Sequence, residues 1–340
     1  MAVRVAINGF GRIGRNFLRA AYEAEADLEI VAVNDLVSID ANAHLLRYDS
    51  THGRFAGTVE VDEARGIVVD GKPIAVYAER DPKNLPWGDL KIDVVVESTG
   101  RFTKREQAAA HLDAGARLVV VSAPADGADA TFVVGVNDDT FDPAVHRVVS
   151  NASCTTNCFV PMVKVLDDAF EVRHGLMTTV HAYTNDQELL DLARDNMRRA
   201  RAGAVNIVPV QTGAARATPL VMASMKGRLD GQALRVPVQD GSITDFTAII
   251  GKTVTVAEIN AAFKAAATSG PLAKVLKYSE DPIVSSDIVG DPASCTVDAE
   301  LTMAMPLPDG TTLIKVFGWY DNEWGYSNRL VDLIAIIGKK

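Results

Sequence analysis

At 340 residues, 48% hydrophobic and 23% charged, the chain has the make-up of an ordinary globular protein and about twice the length of a typical domain, which excludes disordered and fibrous classes. Its 34 basic and 44 acidic residues leave a formal charge of −10, which repels phosphate backbones and anionic lipid. Nucleic acid and membrane are therefore not expected as partners, and any anionic ligand needs a local basic pocket.

The chain opens on a strand-like RVAIN, followed by a helical pattern from about Gly11 to Glu25 and a second strand, EIVAVND. The apolar runs DVVVES, RLVVVSA and TFVVGV come later, and strands alternating with helices predict a parallel sheet covered by helices. Two strand-like pieces between Thr58 and Tyr77, joined by a turn at Asp70-Gly71, read as an insertion that interrupts this order. From about Leu176 the texture changes: LMTTVHAYT, ALRVPV, SITDFTAII, TVDAELTMAM and TTLIKVFGWYD alternate apolar with polar residues, as strands of a mostly antiparallel sheet do. Between Tyr183 and Val205 lies a polar, Arg-rich stretch that fits neither sheet nor helix, and long loops of this kind usually carry function. The terminal LVDLIAIIG, broken by Asp332, predicts an amphipathic closing helix. The fold class is thus α/β: a Rossmann-type parallel-sheet domain over 1–152 and an α+β domain with a mostly antiparallel sheet over 153–320. No secretory pattern precedes the first strand, no apolar run is long enough to span a membrane, and three cysteines make no disulfide framework, so a reducing cytoplasm is expected.

After RVAIN comes Gly9-Phe10-Gly11-Arg12-Ile13-Gly14, a G-x-G-x-x-G between a strand and an amphipathic helix. Glycines there allow a tight turn, close approach of the backbone to a pyrophosphate, and packing of helix on sheet. Asp35 closes the second strand about 20 residues on, where a carboxylate accepts bonds from the adenosine ribose and repels a 2′-phosphate. The expected cofactor is NAD, with Arg12 placed to touch the pyrophosphate.

SNASCTTNCFVPMVKVLDDAF begins with small polar residues and then sets Phe159, Met162, Val163, Leu166 and Phe170 at helical spacing. Cys154 therefore lies at a helix N-terminus, whose dipole and free N–H groups are expected to lower its pKa from about 8.5 and make it a nucleophile. Cys158, one turn deeper, and Cys295 read as packed, inert residues. His181, in LMTTVHAYT, is the best acid–base partner for the thiol. No histidine pairs with the cysteines at a metal-ligand spacing, so no metal is expected.

The segments INGFGRIGR, SNASCTTNC, TTVHAYTND, RRARAG, TGAAR, LRVPV and WYDNEWGYS, in this order, resemble the phosphorylating glyceraldehyde-3-phosphate dehydrogenases over essentially the whole chain. The resemblance implies that Cys154 attacks the aldehyde, that His181 acts as base and as donor to the oxyanion, and that inorganic phosphate releases the thioester as 1,3-bisphosphoglycerate. It places the substrate phosphate against Thr184, Asp186 and Arg235, and the attacking phosphate against Ser153, Thr155, Arg199, Thr212 and Gly213. Asn322 would hold the nicotinamide carboxamide with Tyr326 nearby, Ser98, Thr99 and Ser122 would line the cofactor, and Arg80 would lie beside the adenine. It also implies that 1–152 is the NAD-binding domain, completed by a C-terminal helix in 321–340, that 153–320 is the catalytic domain, and that the chain forms a homotetramer in which the 183–205 loop reaches a neighbouring subunit. Ala193 stands where NAD-specific members often have proline, so NAD preference rests mainly on Asp35; Val210-Gln211 replaces the usual pair of threonines. Gln239-Asp240 stands where relatives tend to be uncharged, and an acidic Asp240 near Arg235 is expected to weaken the phosphate pocket. Erythrose-4-phosphate dehydrogenase is the near alternative; a thiol hydrolase or a non-catalytic NAD-binding protein are remote ones.

Overall fold

In the computed structural model, which describes residues 2–340 except 63 and 65, the opening motif forms as β1 (Val3–Asn8) followed by α1 (Arg12–Glu23). The chain divides into two compact units, the first comprising 1–132, 138–152 and 327–340, the second 133–137 and 153–326.

The first unit is built on β1, β2 (Leu28–Asn34), β3 (Val59–Asp62), β4 (Gly66–Val69), β5 (Lys72–Tyr77), β6 (Val94–Glu97), β7 (Leu118–Val121), β8 (Ala130–Thr131) and β9 (Val148–Ser150). Among the described residues these form one sheet in the order β8-β9-β7-β6-β1-β2-β5-β4-β3. The strands from β8 to β5 pair in parallel, and the Val and Ile residues of β1, β6, β7 and β9 are buried, as a sheet covered on both faces requires. The 58–77 pieces are not an insertion that interrupts the order. β5 extends the sheet by pairing in parallel with β2, and β4 and β3 follow as antiparallel edge strands. The hairpin turn between β4 and β5 falls at Asp70 and Gly71 as expected, both at positive φ (46° and 77°), the geometry that fits the right-handed twist of its strands. From β1 the chain passes to β2 on one side while β6 lies on the other, so the sheet order reverses there. Ligand crevices of α/β sheets open at the carboxyl ends of strands at such a point.

The main segment of the second unit opens on α2 (Cys154–Phe170), whose Ser153 cap accepts from Thr156 N at 3.1 Å. Its sheet comprises β10 (Val172–Ala182), β11 (Val208–Gln211), β12 (Leu229–Val236), β13 (Ser242–Ile250), β14 (Leu276–Ser279), β15 (Cys295–Pro306) and β16 (Thr312–Tyr320), in the order β11-β12-β10-β13-β16-β15-β14. The pairs β10–β12 and β14–β15 are parallel and the others antiparallel. β13 and β16 alternate buried and half-buried residues along their whole length, which is the pattern that made this half legible as a sheet with one face on a core. Between Tyr183 and Ala202 there is only an isolated bridge, Glu188 to Ala202. The closing helix α3 (Trp324–Ile337) ends the chain, and residues 327–340 group with the first unit, where Lys339 pairs with Asp27 at 2.6 Å.

The helix that carries Cys154 is seated by aromatic packing. Cys158, Phe159, Met162, Val163 and Leu166 are fully buried, and Phe159 meets Phe246 of β13 edge-on, with centroids 4.9 Å apart. Gly175 of β10 makes room for that ring, because a Cβ there would lie 2.4 Å from Phe246 Cε2. Phe246→Ala should therefore cost about 3–5 kcal/mol of stability, read as a lower denaturant midpoint. A midpoint unchanged from the parent would show that α2 is not held by this contact.

Candidate active site

In the first unit, the glycine triplet does two different jobs. Gly9 has φ +93°, and a Cβ there would meet Thr99 N at 2.6 Å; at Gly14 it would meet the Gly9 carbonyl oxygen at 2.3 Å. Those two glycines close the turn and let α1 pack against it. A Cβ at Gly11 meets nothing within 4 Å, so here the missing side chain leaves backbone open to a ligand at the start of a helix. Asp35 follows β2 and accepts from Phe10 N at 2.8 Å and Val37 N at 3.3 Å, which orients its carboxylate beside the turn. A dinucleotide fits these features: an open glycine for the pyrophosphate and a held carboxylate for the ribose.

Ser98 and Thr99 come to the same turn from the end of β6. Ser98 Oγ donates to Gly9 O at 2.7 Å, while Thr99 N and Oγ1 donate to Glu97 Oε1 at 2.8 and 2.5 Å. Glu97 is fixed from below, where Oε2 accepts from Asn8 Nδ2 at 2.6 Å and lies 3.0 Å from His111 Nε2. Trp87 Nε1 donates to His111 Nδ1 at 3.0 Å, so the imidazole proton sits on Nε2 and faces the carboxylate. Sequence reasoning passed over this buried chain, because a glutamate at a strand end and a histidine in a helix carry no motif. Ser122 follows β7 and its N–H bonds to Glu97 O at 2.9 Å. Arg80 is exposed, and Arg12 makes a two-pronged bond to Asp49 at 3.0 and 3.2 Å.

In the second unit, Cys154 is the first residue of α2 and His181 the penultimate residue of β10, with Sγ and Nε2 3.4 Å apart. The Ala182 carbonyl lies 2.7 Å from His181 Nδ1, which places the ring proton there and leaves Nε2 to accept from the thiol. Arg235 Nη1 donates to the same carbonyl at 3.2 Å and to Thr184 Oγ1 at 2.9 Å. Thr184 in turn donates to Asp186, which pairs with Arg199. The structure thus joins Cys154, His181, Thr184, Asp186, Arg199 and Arg235 into one connected group. Arg199 pairs with the group's carboxylate while Arg235 is linked to it only through Thr184, and Arg235 Nε is buried without a partner among the described residues, as in a site built for an anion.

Other expected residues stand differently. The Thr155 hydroxyl turns to Tyr320 Oη at 2.9 Å, and Tyr320 also meets Thr179 Oγ1 at 2.7 Å and packs edge-on against His181. Tyr320 was missed because a tyrosine ending an alternating strand reads as core. Thr212 accepts from Ala214 N at 3.2 Å, Gly213 precedes a short helix, and no hydrogen bond among the described residues ties either to Cys154 or His181. Asp240 is buried, and burial followed by the charges of Asp321 and Glu323 pushes its carboxyl up to about 9. At neutral pH it is uncharged, so it does not set a negative charge against the arginines as its sequence position suggested. Cys158 and Cys295 are fully buried, and all three cysteines are free.

The expectation of a lowered thiol pKa is overturned. Burial pushes Cys154 up to about 11, against the pull of Arg235 and of hydrogen bonds from Thr155, and pushes His181 down to about 3, helped by Arg235 and opposed by the Ala182 carbonyl. A helix N-terminus contributes roughly 0.3–2 kcal/mol, about one pKa unit, which is too little to offset desolvation of this size. The resting pair is a neutral thiol and a neutral imidazole.

Residues 3–105 match the glyceraldehyde 3-phosphate dehydrogenase NAD binding domain, and residues 153–322 the C-terminal domain of the same family. Over all 340 residues the chain is 57% identical to glyceraldehyde-3-phosphate dehydrogenase 2 of Streptomyces avermitilis and to glyceraldehyde-3-phosphate dehydrogenase of Streptomyces coelicolor, covering 100% of both chains in each case. It is 56% identical to glyceraldehyde-3-phosphate dehydrogenase of Geobacillus stearothermophilus, over 100% of this chain and 99% of that one.

A neutral resting thiol has a kinetic signature. In the ligand-free protein the rate of Cys154 alkylation by iodoacetamide should climb about tenfold per pH unit from neutrality and level off only near 11, the value to which burial raises the thiol. A plateau reached at about pH 6, well below the free-thiol value of about 8.5, would show that an ion pair is preformed, and one at the free-thiol value would show that burial does not shift the thiol.

Proposed function

We infer the roles of the individual side chains from one premise: the chain belongs to the glyceraldehyde-3-phosphate dehydrogenase family. It is an NAD-dependent oxidoreductase that converts glyceraldehyde 3-phosphate and inorganic phosphate to 1,3-bisphosphoglycerate, in glycolysis and gluconeogenesis. The observation that carries the assignment of roles is the 3.4 Å approach of Cys154 Sγ to His181 Nε2 at the start of α2.

Because the resting pair is neutral, His181 Nε2 takes the thiol proton as the S–C bond to the aldehyde carbon forms, so no free thiolate has to persist in a buried site. The imidazolium then donates to the developing oxyanion, giving a hemithioacetal, and takes that proton back as the carbonyl re-forms. NAD, when bound, supplies the acceptor for the hydride that leaves the same carbon, and a thioester remains on Cys154. Attack by a phosphate oxygen breaks the C–S bond and releases the acyl phosphate, and Sγ recovers its proton through His181.

Arg235 and Thr184 are the contacts for the substrate phosphate, and Arg199, Ser153, Thr155, Thr212 and Gly213 for the attacking one. Asp186 is an anion and repels phosphate; its bonds to Thr184 and Arg199 support a role in aiming those two groups. The Thr155 hydroxyl reaches a phosphate only by leaving Tyr320 or by sharing its second lone pair. For NAD, the contacts are the Gly9–Gly14 turn with Phe10, Arg12 and Ile13, then Asp35, Arg80, Ser98, Thr99, Ser122, Asn322 and Tyr326. Asp35 supports a preference for NAD over a 2′-phosphorylated cofactor, even with Ala193 in the loop. The functional division follows the same lines, with NAD bound by 1–152 and the C-terminal helix, and chemistry carried by 153–320.

The working form is a homotetramer in the cytoplasm. Leu189, Leu190 and Met197 of the 183–205 loop are 82%, 77% and 85% exposed in the single chain, which supports burial of this loop against another subunit. No helix among the described residues is long and apolar enough to cross a membrane. The names of the relatives lend nothing to an erythrose-4-phosphate substrate.

The purified protein should form NADH from glyceraldehyde 3-phosphate in a phosphate-dependent manner. Cys154→Ser should abolish this, and His181→Asn should lower kcat by about 10²–10⁴ without shifting the unfolding midpoint. Equal activity without phosphate, or a kcat for His181→Asn within about twofold of the parent, would contradict the assigned chemistry.

A further inference from the structure

The ladder between β10 and β13 ends at the pair Val180–Ile243, one residue short of His181. Beyond it the Ala182 N–H would lack a partner, and the hydroxyl of Ser242 supplies one: Oγ accepts from Ala182 N at 3.1 Å. Ser242 is buried, so its own proton also needs an acceptor. It finds Asn322 Oδ1 at 2.6 Å. One hydroxyl therefore links the residue next to the catalytic histidine with the side chain assigned above to the nicotinamide carboxamide.

The backbone around Asn322 is already fixed by its neighbour. Asp321 Oδ1 accepts from Glu323 N at 2.8 Å and Trp324 N at 2.6 Å, and its Oδ2 accepts from Gly290 N at 2.7 Å. What remains free is the amide's own orientation, since turning it by 180° exchanges oxygen and nitrogen at almost no steric cost. Ser242 removes that freedom. In the flipped amide, Oγ would face two donors, Ala182 N–H and Asn322 Nδ2, and the serine proton would have no acceptor. In the observed orientation Oδ1 is occupied, and Nδ2 has no partner among the described residues, which leaves its N–H groups for a ligand carbonyl.

We propose that Ser242 is a positioning residue for the cofactor: by occupying Asn322 Oδ1 it commits Nδ2 to donate to the carboxamide oxygen of the nicotinamide. The proposal rests on the reading of Asn322 given above. It attributes to Ser242 an effect on the nicotinamide half of the dinucleotide and none on the ADP-ribose half.

Calorimetric titration of the full-length protein with NAD and with ADP-ribose, which lacks nicotinamide, separates the two halves. Ser242→Ala should weaken NAD binding by about tenfold, the value of one oriented hydrogen bond, and leave ADP-ribose binding unchanged. Asn322→Ala should show the same selective loss, and the double variant should lose no more than Asn322→Ala alone, because the serine acts only through the amide. Ser242→Cys, close in size and a weak donor, should fall between parent and Ser242→Ala and serves if the alanine variant unfolds. Ser242→Thr, which keeps the hydroxyl, should restore the parent's ratio of NAD to ADP-ribose affinity. If Asn322→Ala lowers that ratio while Ser242→Ala and Ser242→Cys leave it at the parent value, the positioning role is wrong. If Asn322→Ala leaves the ratio unmoved, the reading of Asn322 falls and this proposal falls with it.

Discussion

A sulfur and an imidazole nitrogen 3.4 Å apart are the contact on which the chemistry of this chain depends. Neither group arrives there by local preference alone. Cys154 is delivered by the first turn of α2, which is pinned by Phe159 against Phe246, and His181 by the penultimate position of β10. The Ala182 carbonyl then settles which ring nitrogen holds the proton. Burial keeps both partners uncharged at rest, so the proton is shared out only when an electrophile reaches the sulfur. A site arranged this way protects its nucleophile from indiscriminate reaction and spends its electrostatics on the bond being made.

The anion pocket follows a similar economy. Arg235 and Arg199 are linked through Thr184 and Asp186 into a single chain, so a bound phosphate meets donors already aimed and does not have to order free side chains. The carboxylate in the chain lowers the local charge while fixing geometry, an exchange of attraction for direction. Asp240, which as an anion would oppose this pocket, is silenced by its burial beside Asp321.

Much of this was legible in the residues. The glycine triplet between strand and helix, Asp35 at the end of the second strand, the polar-to-apolar switch after Ser153 and the alternating strands of the second half each leave a periodic or spaced signal, and each formed where it was read. What escaped has a common physical character. The 58–77 strands were taken for an insertion because hydrophobic pattern identifies strands but not their neighbours, and only the pairing of β5 with β2 decides the sheet. The ionisation of Cys154 and Asp240 depends on how many atoms surround them, a property of packing that position in the chain does not encode. Glu97, His111, Tyr320 and Ser242 act through hydrogen bonds to residues 14 to 165 positions away, and neither helical nor strand periodicity relates the two ends.

Within the first turn, three glycines that look interchangeable answer to different demands. Gly9 and Gly14 are closed by neighbouring backbone, whereas Gly11 faces open space. A side chain at either outer glycine is a fault of architecture, to be felt by the chain whether or not any guest ever arrives. At the middle one it would leave a sound, well-folded host with its doorway obstructed, so loss of function and loss of structure can part company within five residues of the same loop.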